Sequence, residues 1–157
     1  MKTVATIGAY GWTLDRFLDA LADANVELLV DVRQRRGVRG REYSWANAQR
    51  LQAALAEAGI RYSHHKKLAP TTELRHVQYA EDDRLGVGKR SRRELAPAYR
   101  ERYLQEILEP ADLDALVANL PTVSALLCVE LDPEACHRSL IADRLAEDHG
   151  VKVVHLR

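Results

Sequence analysis

The sequence predicts an α/β domain in which a mostly parallel sheet is covered by helices on both faces. Short apolar runs alternate with segments whose apolar residues recur every three or four positions, the pattern of strands followed by helices. Residues 123–129 are almost continuously apolar, which is typical of a central strand buried on both faces. The chain has 157 residues, 46% of them apolar, which suffices for one hydrophobic core. We therefore expect a three-layer, Rossmann-like fold in a single domain spanning residues 1–157.

Five elements are predicted before residue 65. Apolar runs at 4–7 and 28–30 predict the first two strands, and a polar run at 60–64 predicts a third strand at or near a sheet edge. Thr13 is a favourable N-cap for the first helix, and Gly59 at the C′ position ends the second. A polar loop at 34–45 separates the second strand from the second helix.

Residues 65–95 show no sustained periodicity and contain several lysines and arginines. The sequence therefore predicts a long basic loop or insertion here, because segments of this length without regular elements are usually functional or flexible. A helix from Pro97 to Pro110 and a short helix at 113–120 follow.

The last helix is predicted to begin at Asp132-Pro133, with Asp132 as N-cap and Pro133 at the first helical position. Gly150 ends it, and residues 151–154 form the last strand. In parallel sheets, ligands bind beyond the carboxyl ends of the strands. This rule points to four groups of residues, at 8–11, 31–36, 64–67 and 128–138.

Composition and charge exclude several classes of protein. No segment approaches the ~20 apolar residues that span a bilayer. The N-terminal segment has no apolar region of the signal-peptide kind, and two cysteines are too few for a disulfide framework, so we expect a cytoplasmic protein. Residues 1–105 contain 19 Lys/Arg and 13 Asp/Glu (+6), whereas residues 106–157 contain 4 and 10 (−6). The local basic excess is compatible with a phosphate-bearing partner although the net charge is zero.

The strongest chemical motif lies between Cys128 and Arg138. Cys128 ends the buried strand, and Glu130 shares its strand face. Cys136, His137 and Arg138 fall near the start of the next helix, where free backbone N–H groups favour anions. Arg138 is thus a candidate phosphate ligand, and either cysteine, with His137 and Glu130, is a candidate for nucleophilic or acid–base chemistry. The alternative is a packed core cysteine and a surface arginine.

The same residues could in principle bind a metal. However, Cys128 and Cys136 lack the paired C-x-x-C spacing of structural zinc sites, and no fourth ligand is evident beside His137. The sequence therefore predicts reduced, metal-free cysteines and no cofactor.

Asp31 and Arg33 share one strand face at the end of the second strand. Asp31 is a candidate general base and Arg33 a candidate phosphate ligand. A structural ion pair of Asp31 with Arg33 or with Arg138 is an equally good interpretation. Gly8 ends the first strand as part of Gly8-Ala-Tyr-Gly and is a further candidate for phosphate binding, although the full G-x-G-x-x-G pattern is absent.

The loop after Asp31 is strongly basic. Residues 33–41 contain five arginines, and we take Arg35 and Arg36 as candidate phosphate ligands. Tyr43 and Trp45 follow directly, and arginines beside aromatic residues are typical of sites for single-stranded nucleic acid or nucleotides. Residues 89–93 extend this basic character. The alternatives are a solvated loop and, for Trp45, a role in the core.

With these motifs identified, the chain resembles a bacterial family, the domain-of-unknown-function family numbered 488. The resemblance covers essentially the whole chain. It rests on five segments: Thr6-Ile-Gly8, Leu29-Val-Asp-Val-Arg33, Tyr62-x-His64, the Leu-Leu-Cys-x-Glu-x-Asp-Pro-x-x-Cys-His-Arg segment at 126–138, and the Val-His-Leu at 154–156. It implies a compact α/β domain without a settled biochemical role.

The chain departs from the family pattern at two places. The family often has Gly-His-Ser or Gly-His-Thr after the first strand, where this chain has Gly8-Ala-Tyr. A Pro-x-Ser-Arg run usually follows Asp-Val-Arg, and here it is replaced by Gln34-Arg-Arg-Gly-Val-Arg. The more basic loop favours a phosphate-rich ligand.

Two functional hypotheses follow from the sequence. The first is a module that binds a phosphate-bearing ligand, a nucleic acid or a nucleotide, at the strand carboxyl ends. The second is a small enzyme that uses Cys128 or Cys136 with His137, Asp31 and Glu130. The sequence indicates no membrane partner and no particular oligomeric state.

Overall fold

Five parallel strands form one sheet at the centre of the computed structural model, which describes residues 1–157. The strands are β1 Thr3–Gly8, β2 Leu28–Asp31, β3 Arg61–His64, β4 Val123–Cys128 and β5 Lys152–His155, in the spatial order β3-β2-β4-β1-β5. All four pairings are parallel, so the carboxyl ends of the strands meet at one edge. The predicted parallel sheet is confirmed, and β3 is an edge strand as expected.

Helices cover both faces of the sheet. Helices α1 Leu14–Asp23 and α2 Ala48–Glu57 pack on one face. The other face carries α3 Thr72–Leu85, α4 Pro97–Tyr103, α5 Leu113–Asn119 and α6 His137–His149. Helix α4 continues as a π-helical segment, Leu104–Leu108. The expected three-layer α/β architecture is therefore confirmed.

Helix α3 corrects the prediction of a long basic loop at 65–95. The helix is capped by the Thr71 hydroxyl, which accepts a hydrogen bond from the Leu74 amide, and it ends at Gly86 in the left-handed conformation. Its buried positions are Leu74, Gln78 and Asp82, one apolar and two polar. A helix that buries polar groups has no apolar stripe, so hydrophobic periodicity does not detect it.

Two other boundaries differ from the sequence prediction. Residues Pro133–Ala135 form a separate 3-10 turn, and α6 begins only at His137. Cys136 is therefore the N-cap residue of α6 rather than part of the helix. The predicted polar loop at 34–45 ends in a 3-10 helix, Arg41–Ala46. None of the helices has both the length and the apolar character that crossing a bilayer requires.

Strand β4 lies at the point where the connections of the sheet change face. The helices that follow β1 and β2 pack on one face, whereas α6, which follows β4, packs on the other. Because β4 is flanked by β1 and β2, its carboxyl end opens into a crevice between diverging connections. Such crevices are where open α/β sheets bind ligands.

Candidate functional site

A cavity of about 770 Å³ occupies this crevice. Its walls come from the segments after β1, β2 and β4, from the N-terminus of α6, from one side of α3 and from residues 88–92. Cys128, Cys136 and His137 line it, and all three are buried. The cavity thus lies where the sequence predicted the functional residues to meet.

The cysteines and the histidine form a compact cluster. His137 Nδ1 lies 3.7 Å from Cys128 Sγ and 3.8 Å from Cys136 Sγ. His137 Nε2 lies 2.8 Å from the Val32 carbonyl oxygen, which can only accept a hydrogen bond. The Nε2 atom therefore carries the proton, and the Nδ1 lone pair faces the two sulfur atoms. The cluster can accept a thiol proton or coordinate an ion.

Burial and close contacts shift the pKa values of the two cysteines in opposite directions. Burial opposes ionisation of Cys136, but the hydrogen bond with Cys128 and the charges of His137 and Arg138 outweigh it and hold the pKa of Cys136 well below its usual range. Burial and the neighbouring Cys136 raise the pKa of Cys128 well above its usual range. Burial lowers the pKa of His137, yet the adjacent Cys136 overcomes this effect and raises it. A Cys136 thiolate next to His137, at the start of a helix, is the favoured ionic form.

A buried polar network connects the cluster wall to α3. Arg92 donates to Asp82 Oδ2 at 2.6 Å and to Glu130 Oε1 at 2.8 Å. Asp82 in turn accepts from the Gln78 amide, and Gln78 accepts from the Ala96 backbone N–H. In the sequence, Arg92 stands out only as part of a basic segment, and Asp82 and Gln78 are not recognisable as site residues. The caps of α3, Thr71 and Gly86, were the available signal for this helix.

Only one of the two carboxylate oxygens of Glu130 has a hydrogen-bond partner. Its Oε1 atom bonds Arg92, whereas Oε2 is buried without a hydrogen-bond partner, and the residue lines the cavity. Burial, with the nearby Cys136, raises the pKa of Glu130. A buried carboxylate oxygen without a donor is costly, so this atom is available to a ligand or a water molecule in the cavity.

Asp31 and Arg33 form a structural ion pair. Asp31 is fully buried and accepts from the Arg33 backbone N–H at 3.1 Å, from Nε at 2.9 Å, from Nη2 at 2.8 Å and from the Tyr62 hydroxyl at 2.5 Å. The remaining terminal nitrogen of Arg33 donates to the Ala46 carbonyl. Both carboxylate oxygens of Asp31 are thus engaged inside the protein, as the ion-pair interpretation requires, and neither is free to act as a base. Arg33 also lines the cavity, so its role as a phosphate ligand stays a prediction.

Gly8 and Arg138 also have structural contacts where the sequence predicted ligand binding. Arg138 is fully buried and donates to the carbonyl oxygens of Glu130 and Leu131 at 2.6 and 3.1 Å. A side chain at Gly8 would overlap with the Glu130 carbonyl oxygen and would lie 3.0 Å from the Arg138 guanidinium. Gly8 thus permits a close approach of β1 to the loop after β4, and Arg138 holds this loop. Neither residue lines the cavity.

Cationic side chains surround the cavity. Seven line it: Arg33, Arg35, Arg39, Arg75, Lys89, Arg90 and Arg92. Arg33, Arg90 and Arg92 pair with carboxylates. The other four have no carboxylate partner, although Arg75 bonds to Gln34 and Tyr79. Arg36, also predicted as a ligand, reaches the Tyr62 hydroxyl at 3.4 Å instead and does not line the cavity.

The aromatic residues of the basic loop are partly used by the fold. Trp45 is buried with its ring 4.8 Å from Phe17, so it is a core residue. The Tyr43 hydroxyl accepts a hydrogen bond from Gly11, and its ring contacts Tyr10 at 5.2 Å. The Arg90 guanidinium lies over both tyrosine rings, at 4.9 Å from Tyr10 and 5.3 Å from Tyr43. Of this group, Tyr10 and Arg90 line the cavity.

The fold and this site together define a class of protein: a three-layer α/β domain with a basic cavity above a Cys–Cys–His cluster at the point where the sheet connections change face. The chain belongs to DUF488, a domain family of unknown function, whose model matches residues 13–145. The resemblance noted from the sequence is therefore confirmed. No curated protein and no solved structure matches the chain.

Proposed function

We propose that the protein binds a phosphate-bearing ligand of nucleotide size in the cavity at the strand carboxyl ends. The observation behind this proposal is the charge of the cavity wall. Arg35, Arg39, Arg75 and Lys89 line it without carboxylate partners, whereas its one acidic residue, Glu130, already pairs with Arg92. A concave surface with excess positive charge attracts polyanions and supplies charge-assisted hydrogen bonds to phosphate oxygens.

The size and aromatic content of the cavity support the same ligand class. A volume of about 770 Å³ lies within the range of small-molecule and cofactor sites. Tyr10 and Tyr79 line the wall and offer partly exposed rings against which a base can stack. A nucleotide, or the phosphorylated end of a single strand, combines these two features.

Calorimetric titration with adenosine monophosphate at low salt tests the proposal. Arg35→Ala, Arg39→Ala and Lys89→Ala should each weaken binding about tenfold, because each removes a charge-assisted hydrogen bond worth ~1.5 kcal/mol. Arg41→Ala and Arg93→Ala are matched controls, since both arginines are exposed near these positions but do not line the cavity. Equal effects in the two sets, or no binding by the unmodified protein, would refute the proposal.

Nucleophilic thiol chemistry is a second candidate function, favoured by the contact between Cys136 and His137. Cys136 caps α6, lies 3.8 Å from His137 Nδ1 and faces the cavity. The contacts with Cys128, His137 and Arg138 lower the pKa of Cys136 and so favour its thiolate, and the partly unpaired Glu130 carboxyl can exchange a proton with a leaving group. Asp31 has no direct part in such chemistry, because its oxygens are engaged by Arg33 and Tyr62.

Alkylation of the reduced protein by iodoacetamide, followed by mass spectrometry of the peptides, tests this second function. Cys136 should react well before Cys128, and His137→Gln should slow the reaction of Cys136 because the thiolate loses its partner. Slow, equal modification of both cysteines would argue against a catalytic thiol.

A further inference from the structure

The Cys–Cys–His cluster has the composition and spacing of a transition-metal site. The Sγ atoms of Cys128 and Cys136 and a ring nitrogen of His137 all lie within 4.8 Å of one another. We propose that these three side chains bind a zinc ion whose fourth coordination position opens into the cavity. This site goes beyond the proposed ligand binding and does not depend on it.

The sulfur–nitrogen distances in the cluster match tetrahedral zinc. With Zn–S bonds of about 2.3 Å and Zn–N bonds of about 2.05 Å, a tetrahedral angle separates sulfur from nitrogen by about 3.6 Å. The two sulfur–nitrogen distances to His137 are 3.7 and 3.8 Å. Both sulfur–nitrogen pairs therefore fit one ion, and all three atoms lie within 4.8 Å of one another.

The orientation of His137 is that of a metal ligand. Its Nε2 atom donates to the Val32 carbonyl at 2.8 Å, which leaves the Nδ1 lone pair directed at the sulfur atoms. Histidines that bind metals almost always donate their other ring N–H to a carbonyl or carboxylate in this way. The ring is also held by Tyr103, whose ring centre lies 5.5 Å away and whose hydroxyl is bonded to the Leu68 carbonyl.

The surroundings of the cluster favour zinc and leave one position free. Two thiolates and an imidazole suit zinc, whereas magnesium and calcium require oxygen ligands. No carboxylate belongs to the group, so the chain supplies three ligands. Zinc sites with three protein ligands keep the fourth position for water or substrate. Glu130 Oε2, buried and without a partner in the same cavity, is suited to accept a hydrogen bond from that molecule.

The expectation of metal-free cysteines came from spacing along the chain. Seven residues separate Cys128 from Cys136, unlike the short C-x-x-C pair of structural zinc sites. In the fold, the 3-10 turn at Pro133–Ala135 returns the chain to the end of β4. The N-cap of α6 consequently lies beside the strand end, and a paired motif is not needed.

Metal analysis of the full-length chain tests the site. Reduced protein is stripped with a chelator, given excess zinc, desalted and analysed for bound metal. We expect one zinc ion per chain in the unmodified protein and almost none in Cys128→Ser, Cys136→Ser and His137→Gln. The matched control is His64→Gln: His64 also contacts a backbone carbonyl, that of Arg33 at 2.9 Å, but has no sulfur partner. This variant should retain the ion.

Cobalt substitution keeps the test independent of how the variants fold. Cobalt-loaded unmodified protein should show the thiolate-to-metal charge-transfer band and the visible d–d bands of a tetrahedral site. Inorganic phosphate should shift the d–d bands, because the open position faces the cavity.

Three results would each overturn the proposal: protein that binds no zinc, cysteine variants that retain a full equivalent of zinc, or zinc-saturated protein whose Cys136 alkylates as fast as that of the stripped form. If Arg35→Ala loses nucleotide binding but retains zinc, the zinc site and the proposed nucleotide binding are independent of each other.

Discussion

Some charged residues at the carboxyl ends of the strands bond mainly to other protein groups, whereas others line the cavity with side chains that have no carboxylate partner. Asp31, Arg33 and Arg138 are each at most 1% exposed, and their polar atoms are used mainly inside the protein. The sequence points to Asp31 and Arg33 because they lie at the end of a strand, where parallel sheets bind ligands, and to Arg138 because it lies near the start of a helix. Their partners cannot be predicted, since a charge bound to a ligand and one bound to a neighbouring carbonyl look the same in sequence.

Asp31→Asn should strongly destabilise the protein, because Arg33 would remain buried without a compensating charge. Removing one partner of a buried ion pair costs about 3–5 kcal/mol. Asp19→Asn is the control, since Asp19 is exposed on α1 and has no ion-pair partner; it should change stability by less than about 0.5 kcal/mol. Urea denaturation measures both. If Asp31→Asn left stability unchanged, Asp31 would regain its place as a candidate base.

Gly8→Ala tests the close approach between β1 and the loop after β4. The added methyl group would collide with the Glu130 carbonyl and press against Arg138, so the loop must move. We expect a loss of about 1–3 kcal/mol in the free energy of unfolding. In Gly37→Ala the new methyl meets only the Asn47 side chain at 3.7 Å, an ordinary contact, and stability should change little. Similar melting behaviour of the two variants would contradict this role of Gly8.

At the scale of elements, most of the fold could be predicted and α3 could not. The periodicity of apolar residues predicts the strands and the helices that have apolar faces. The helix ends predicted at Thr13 and Gly59 also agree with the structure. Helix α3 instead buries Gln78 and Asp82 because they form a polar network with Arg92 across the cavity wall. Only the tertiary partner makes such a face stable, so the partner must be known before the helix can be recognised.

Asp82→Ala should loosen α3. The substitution removes a charged bond to Arg92 and leaves the Gln78 amide without its acceptor, and Arg92 keeps only Glu130 as a charged partner. We expect a destabilisation of about 2–3 kcal/mol and faster hydrogen exchange in α3. Asp83→Ala makes the same chemical change one residue later at an exposed position and should leave the exchange rates nearly unchanged. Matching exchange profiles for the two variants would mean that the network contributes little.

At the scale of the whole molecule, a net charge of zero conceals an uneven distribution of charge. The +6 of residues 1–105 and the −6 of residues 106–157 cancel in sum. The fold nevertheless gathers cations from the segment after β2, from α3 and from residues 88–92 around one cavity at the carboxyl end of β4. The order of strands and helices in the sequence predicts at which edge of the sheet ligands bind. The cavity wall that α3 contributes could not be predicted, because the sequence does not reveal this helix.

This concentration of charge predicts a measurable salt dependence. A short single-stranded oligonucleotide with a 5′ phosphate should bind more weakly as salt rises, because each neutralised phosphate of a single strand contributes a slope of ~0.7 in log K against log salt. Arg35, Arg39 and Lys89 line the cavity without carboxylate partners, so two or three contacts and a slope of roughly −1.5 to −2 are expected. The triple alanine variant at these positions should flatten the slope, while Arg41→Ala and Arg93→Ala should not. A mononucleotide that binds as tightly as the oligonucleotide would restrict the ligand to the cavity itself. Binding with no salt dependence would show that these cations do not contact phosphate.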